Sequence, residues 1–264
     1  MASRFYAAFV VLFLVGPILI AVAVAFTNGN RLEFPPPGLS LHWFGEALRN
    51  LQYIDGLQNS VIVAAGAALL AAIAGTSAAV AINHYRFIGR AAVQTIVMLP
   101  ITLPAIVLGL GLLFTLSTYS LRPGLISLTI GHGVIGLPYV TAMVLSAFAN
   151  YDRTLERASL NLGVGPVRTF CRITLPLIRH GILAGAAVAF MMSFDNISLS
   201  LFIAKGNTLP LRLMQQLLSY ADPSVAAIST IVLLASLGVI AVLLPLIATP
   251  RTPTGRTEPP KAAL

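Results

Sequence analysis

Charge is what this sequence has least of. Charged residues make up 9% of its 264 positions against 57% apolar, where an average soluble domain carries about 25% charge. With a mean hydropathy of +0.90, the chain has too little polar surface for a water-facing domain. That excludes a secreted factor and a cytosolic enzyme. Cys171 is the single cysteine, so neither an internal disulfide framework nor a multi-cysteine metal site is available. Lys205 and Lys261 are the only lysines and no G-x-x-x-x-G-K-[ST] occurs, so the chain is not its own P-loop ATPase. His42, His84, His132 and His180 are scattered outside any H-E-x-x-H, and G-x-S-x-G is missing. No catalytic set and no metal site is expected.

Long apolar runs are what the chain has instead. A spanning helix needs roughly 20 apolar residues, and six stretches qualify: Phe5–Phe26, Leu57–Ile82, Ala91–Leu116, Thr129–Ala149, Gly181–Ala204 and Val225–Ala248. Of the eight acids only Asp195 falls inside one of them. The expectation is an all-α membrane protein of six transmembrane helices. Pro100, Pro104 and Pro138 are candidate kinks. Six spans place both termini on one side. With the N-terminus inside, eleven of the sixteen basic residues lie in inner segments and five in outer loops, so both ends are expected to be cytoplasmic. The net charge of +8 is then mostly topology and calls for no nucleic-acid partner; membrane lipid is the expected surrounding. A single membrane domain is expected over residues 1–248, with a long inner loop at 150–180 and a flexible cytoplasmic tail at 249–264.

The loops differ in character. The first outer loop contains FPPPGLSLHWFGEAL, whose prolines stop the first helix and whose Leu41, Trp43 and Phe44 suit a membrane interface. The stretch LPLRLMQQLLSY is amphipathic and is expected to lie flat at the surface. No internal repeat is visible, which counts against carriers built from repeated halves.

The inner loop reads LERASLNLGVGPVRTFCRITLP. Asp152 and Thr154 are available as N-caps for a helix from Leu155, and Gly163 to Pro166 favour a sharp turn after it. Leu155, Ala158, Ser159 and Leu162 fall on one small, mostly apolar face. Gly163, followed by Ile173, Leu175 and Pro176, resembles the signature loop of permease subunits of binding-protein-dependent type I ABC importers. That signature is an E-A-A triplet, a glycine after three more residues, nine residues, then I-x-L-P. The triplet departs from the pattern: Arg157, Ala158 and Ser159 stand in its place, with Glu156 one residue early. The resemblance implies the type I permease fold, with a coupling helix that docks into a cleft of a separate ATPase subunit. Glu156, Arg157, Ala158, Ser159, Leu162, Gly163, Ile173, Leu175 and Pro176 would form the coupling site, and Pro176 would turn the chain into the fifth span.

Three further segments narrow the resemblance. FPPPGLSLHW, HGVIGLPYV, and SFDNISLSLFIAKGNTLPLR followed by PSVAAIST, are similar to stretches of the second, smaller permease of spermidine/putrescine-type importers. The resemblance implies a bacterial inner-membrane importer. Its partners would be an ATPase dimer that binds ATP and Mg, a second permease paired as a heterodimer, and a periplasmic solute-binding protein; this chain would bind no cofactor. Related members import iron(III), thiamine, phosphonates or opines. A stand-alone channel or secondary carrier is the alternative of another class.

Asp195 is the sharpest candidate for the solute path. It lies fourteen residues into its expected span, about 21 Å from the inner end at 1.5 Å per residue. An acid at such depth is unfavourable by at least a few kcal/mol and usually faces a cavity or partner. Polyamine-type permeases carry two adjacent acids here; this chain has Asp195 and Asn196. Asn196 and Ser193 join Asp195 as candidate path residues for a small cationic or zwitterionic solute.

Overall fold

The computed structural model describes residues 2–149, 152–204 and 208–247. Lys205, Ala248 and the expected tail lie outside these, as do positions 150 and 151 of the inner loop. Among the described residues the chain is helical almost throughout.

Helix α1 (Ala2–Ala25) is the first expected span. Most of its apolar side chains are exposed, and its end is anchored where Val24 and Ala25 are buried. The short α2 (His42–Arg49) packs Trp43 and Phe44 against a cluster of Ala25, Tyr53, Leu209 and Ala227, while Leu41 stays exposed. Helix α3 (Leu51–His84) has 34 residues, about 51 Å at 1.5 Å per residue. The Asn50 side chain caps it by accepting from Gln52 N–H at 3.0 Å, satisfying one of the donors a helix start leaves free.

The third expected span is not one helix. Helices α4 (Arg90–Thr102) and α5 (Ala105–Thr118) meet at an angle of 110°. The cause is local: Leu103 has ψ 140°, the extended setting forced on a residue that precedes proline, and Pro104 starts the next helix. Pro100 and Pro138 sit inside α4 and α6 (Leu125–Ala149).

Helix α6 is the centre of the bundle. It packs between α3 and α9 (Leu175–Phe194) through a core of Ala71, Ala79, Val140, Val144, Ile178 and Ala189. Small residues set the spacing. A methyl group added at Gly185 would stand 2.7 Å from Cα of Val140, and one at Gly136 would stand 2.9 Å from Cβ of Ala189. Such approach favours van der Waals packing where lipid supplies no hydrophobic drive between helices.

The inner loop folds as α7 (Thr154–Asn161), a turn, α8 (Pro166–Thr169) and a π-helical turn (Phe170–Thr174) that runs into α9. Pro176 therefore does not turn the chain. The turn is at Gly163, in the left-handed region with φ +80°, and one continuous helix runs from Pro166 to Phe194. A proline in an α-helix loses a hydrogen bond and clashes with the carbonyl four residues back. Here the preceding turn is widened, with Leu175 N–H donating to the Phe170 carbonyl five residues back, and the proline fits.

Beyond α9 the fifth expected span breaks at Asp195 and Asn196, and α10 (Ile197–Ile203) follows. Helix α11 (Leu209–Ser219) was expected flat on a surface; Leu209 and Leu211 are buried instead, and it packs against α3. A hydrogen bond of 2.9 Å from Leu209 N–H to Ser60 Oγ fixes its start. Helix α12 (Ser224–Ile247) is the sixth apolar stretch.

Candidate functional site

The coupling-loop residues do gather, but on two sides of α7. The N-cap of α7 is Arg153, whose side chain makes no capping bond, in place of the expected Asp152 or Thr154; Asp152, one position earlier, accepts from Thr154 N–H at 2.9 Å through Oδ1. Hydrogen bonds from Thr154 hold its carboxyl below the ordinary carboxylate range. Leu155, Arg157, Ala158 and Leu162 are exposed, Leu162 at 83%, and form one free face. Ser159 leaves that face: it is buried and shares a 2.9 Å hydrogen bond with the buried Thr169 hydroxyl. Helix α7 is thus pinned to α8 across the Gly163 turn. Ile173 is half-buried, and Leu175 and Pro176 are exposed around the π-helical turn.

Glu156 also points away from the free face. Its two carboxylate oxygens lie 3.1 and 3.0 Å from Nε2 of His84, the last residue of α3. Sequence reasoning had both residues in view without pairing them. Moving an acid one place along a helix turns it by about 100°, and that rotation carries Glu156 from the outer face to α3.

The second cluster lies at the α9–α10 break. Ser193, in the last turn of α9, is buried and sits 2.6 Å from Nδ1 of the buried His132 on α6. Asn196 is extended, and its side-chain oxygen accepts from Leu199 N–H at 2.8 Å, so it is the N-cap of α10. Asp195 is exposed, and its carboxylate has no hydrogen-bond or ion-pair partner among the described residues. The three candidate path residues therefore carry different loads. Only Asp195 is free.

A cavity of about 350 Å³ lies between α5 and α6, lined by Val107, Leu108, Gly111, Leu112, Thr115 and Ile135 among others and by none of the three candidate path residues. Gly131 on α6 approaches Leu112 of α5 and Leu199 of α10, so α5, α6 and α10 meet at one small residue. Among the described residues no three His, Cys, Asp or Glu side chains gather where they would hold a metal ion.

Comparison with known proteins decides what this arrangement belongs to. Residues 67–252 match the family described as binding-protein-dependent transport system inner membrane component. The chain belongs to this family. It is the permease subunit of an ABC importer, a transport component with no enzymatic activity of its own, and it lies in the inner membrane with several spans. The permease is 30% identical over 230 residues to the putrescine transport system permease protein PotI of Escherichia coli K12, covering 84% of this chain and 82% of that one. It is 31% identical over 226 residues to the spermidine/putrescine transport system permease protein PotC of Haemophilus influenzae, with 85% and 88% covered. Among solved structures it superposes on a chain of a bacterial ABC transporter involved in import of the acidic polysaccharide alginate. The TM-score is 0.68 at 13% identity, with 93% and 94% covered. The type I permease fold is thereby shown, and the family implies an ATPase and a solute-binding protein as partners.

Proposed function

We propose that this permease moves a small cationic or zwitterionic, polyamine-like solute into the cytoplasm by alternating access. ATP hydrolysis on a separate ATPase dimer, which holds the ATP and Mg, drives the cycle. Asp195 carries the reading of the solute. It is the one acid in the expected spans, it is exposed at a helix break, and it has no partner among the described residues. A carboxylate without a counter-charge inside a span is unfavourable by a few kcal/mol or more unless water, a cavity or a cation meets it. A passing ammonium group meets it. Asn196 beside it leaves one negative charge in place of two, which suits a singly charged or zwitterionic solute as well as a diamine. The similarity to putrescine and spermidine/putrescine permeases supports the same class.

In this reading Leu155, Arg157, Ala158, Leu162 and Gly163 enter the ATPase cleft. Glu156, Ser159, Ile173, Leu175 and Pro176 hold the loop in shape. A second, different permease chain completes the pathway, and the excess of inner basic residues supports cytoplasmic termini.

The test is uptake by proteoliposomes holding the full complex, supplied with its binding protein and radiolabelled putrescine. D195N is expected to lower uptake at least tenfold with the ATPase still associated. Uptake at the wild-type rate by D195N would remove Asp195 from the path. Uptake by this chain alone would favour a stand-alone carrier.

A further inference from the structure

The contacts beneath α7 reach a helix that the chain does not join to it directly. Glu156 meets His84 with both carboxylate oxygens, and the two side chains are only 17% and 16% exposed. Three residues earlier, at the N-cap of α7, the Arg153 guanidinium donates to the carbonyl of Asn83, one of the acceptors a helix C-terminus leaves open. The His84 ring packs edge-on against Phe148, with ring centres 5.1 Å apart, near the end of α6. Three helices thus converge on one imidazole.

We propose that this junction is a second route of force transmission. Glu156 and His84 act as positioning residues that carry motion of α7 straight into α3. The proposal rests on α7 being the coupling helix. The covalent route from α7 onward to α8 and α9 passes through Gly163 and Gly165, where side-chain-free backbone yields easily. Braces that bypass the turn let α7 push on the helices beyond it as a rigid body. Ser159–Thr169 braces it toward α8, and Glu156–His84 braces it toward α3. The second target has longer reach: α3 runs for 34 residues and packs against α6, α9 and α11. A displacement entered at His84 therefore arrives at both the His132–Ser193 pair and the far end of the bundle. The brace is suited to transmission because it joins α7 to the end of a helix that the chain does not connect to it directly.

The experiment uses the complete complex of both permeases, ATPase dimer and binding protein in proteoliposomes, and measures putrescine transported per ATP hydrolysed. E156A and H84A are each expected to lower that ratio at least fivefold while the ATPase still co-purifies. The double variant should be no worse than either single one, as residues acting as one unit behave. H84Q, which keeps an amide near the Nε2 position, should recover at least half of the wild-type ratio. An unchanged ratio in E156A and H84A overturns the proposal. Loss of the ATPase from E156A also overturns it, by showing that Glu156 shapes the docking face. L162D is the control on the underlying reading: if the ATPase stays bound to L162D, α7 is not the coupling helix. If L162D releases the ATPase and the ratio in E156A holds, only the α3 route fails.

Discussion

His132 and Ser193, 61 residues apart, meet at 2.6 Å in the buried interior between α6 and α9. The pair stands two residues before the chain breaks at Asp195. Whatever shifts α6 against α9 therefore acts on the geometry of that break.

Removing one partner leaves the other buried and unsatisfied, which is destabilising by about 1–3 kcal/mol. S193A and H132A should each lower the thermal midpoint of the detergent-solubilised permease. H132N, whose amide lies near the Nδ1 position, should restore most of it. Equal midpoints for H132A and wild type would show that the hydrogen bond contributes nothing.

Gly185 is a position where space decides. Its added methyl would meet the Val140 backbone, so α6 and α9 would have to move apart. Overpacking of this kind is destabilising by about 1–3 kcal/mol. G185A is expected to melt earlier in detergent. G16A is the matched control, because nothing lies within 4 Å of that site in α1 and alanine is the better helix former by about 1 kcal/mol. A G185A protein as stable as G16A would refute the close approach.

The turn after α7 depends on backbone freedom. Gly163 has φ +80° and open space around it. A side chain there meets no neighbour, yet the left-handed setting is unfavourable by roughly 1–2 kcal/mol for residues other than glycine. Asparagine tolerates that setting better than β-branched residues do. G163V should therefore impair ATPase co-purification strongly and G163N mildly. Equal behaviour of the two would mean that φ is not what matters there.

Asp152 gives α7 a dependence on pH. Its folded pKa lies below the ordinary carboxylate value because the charged form accepts hydrogen bonds from Thr154. The stabilisation is fully present above the unfolded value and is lost as pH falls through the lower folded value. Hydrogen exchange at the first amides of α7, corrected for intrinsic rate, should stay slow at neutral pH and quicken only in acid below the usual carboxylate range. D152N should keep the hydrogen bond from Thr154 N–H and lose the pH dependence. Acid-dependent exchange that persists in D152N would assign the effect to another group.

Much of this architecture was readable in the sequence. Runs of uncharged residues placed the helices, and Gly163 with Ile173, Leu175 and Pro176 marked the loop. Hydropathy sums grease along the chain and is insensitive to a break, so the interruptions at Leu103 and Asp195 passed as continuous spans. One of them was legible by another rule: Asn196 before I-S-L is a good N-cap, but an apolar setting hid it. The pairs His132–Ser193 and Glu156–His84 needed the fold, because nothing local in a sequence says which distant residue a buried polar group will find. Pro176 misled for a related reason. Proline reads as a stop signal, and the widened turn before it is a matter of backbone spacing.

That widened turn sets a phase. A π-helical turn holds one residue more than an α-helical one, and one residue is about 100° of rotation. Thr169, which grips α7 through Ser159, and Ile178, which packs against α6, are each correctly aimed only because the surplus residue lies between them. Shortening the stretch 170–174 by one residue would preserve an unbroken helix and leave every side chain on both sides chemically intact. It would also swing α7 more than a quarter turn about the axis of the span it serves. The loop's aim is thus encoded in a count of residues, which no single substitution alters.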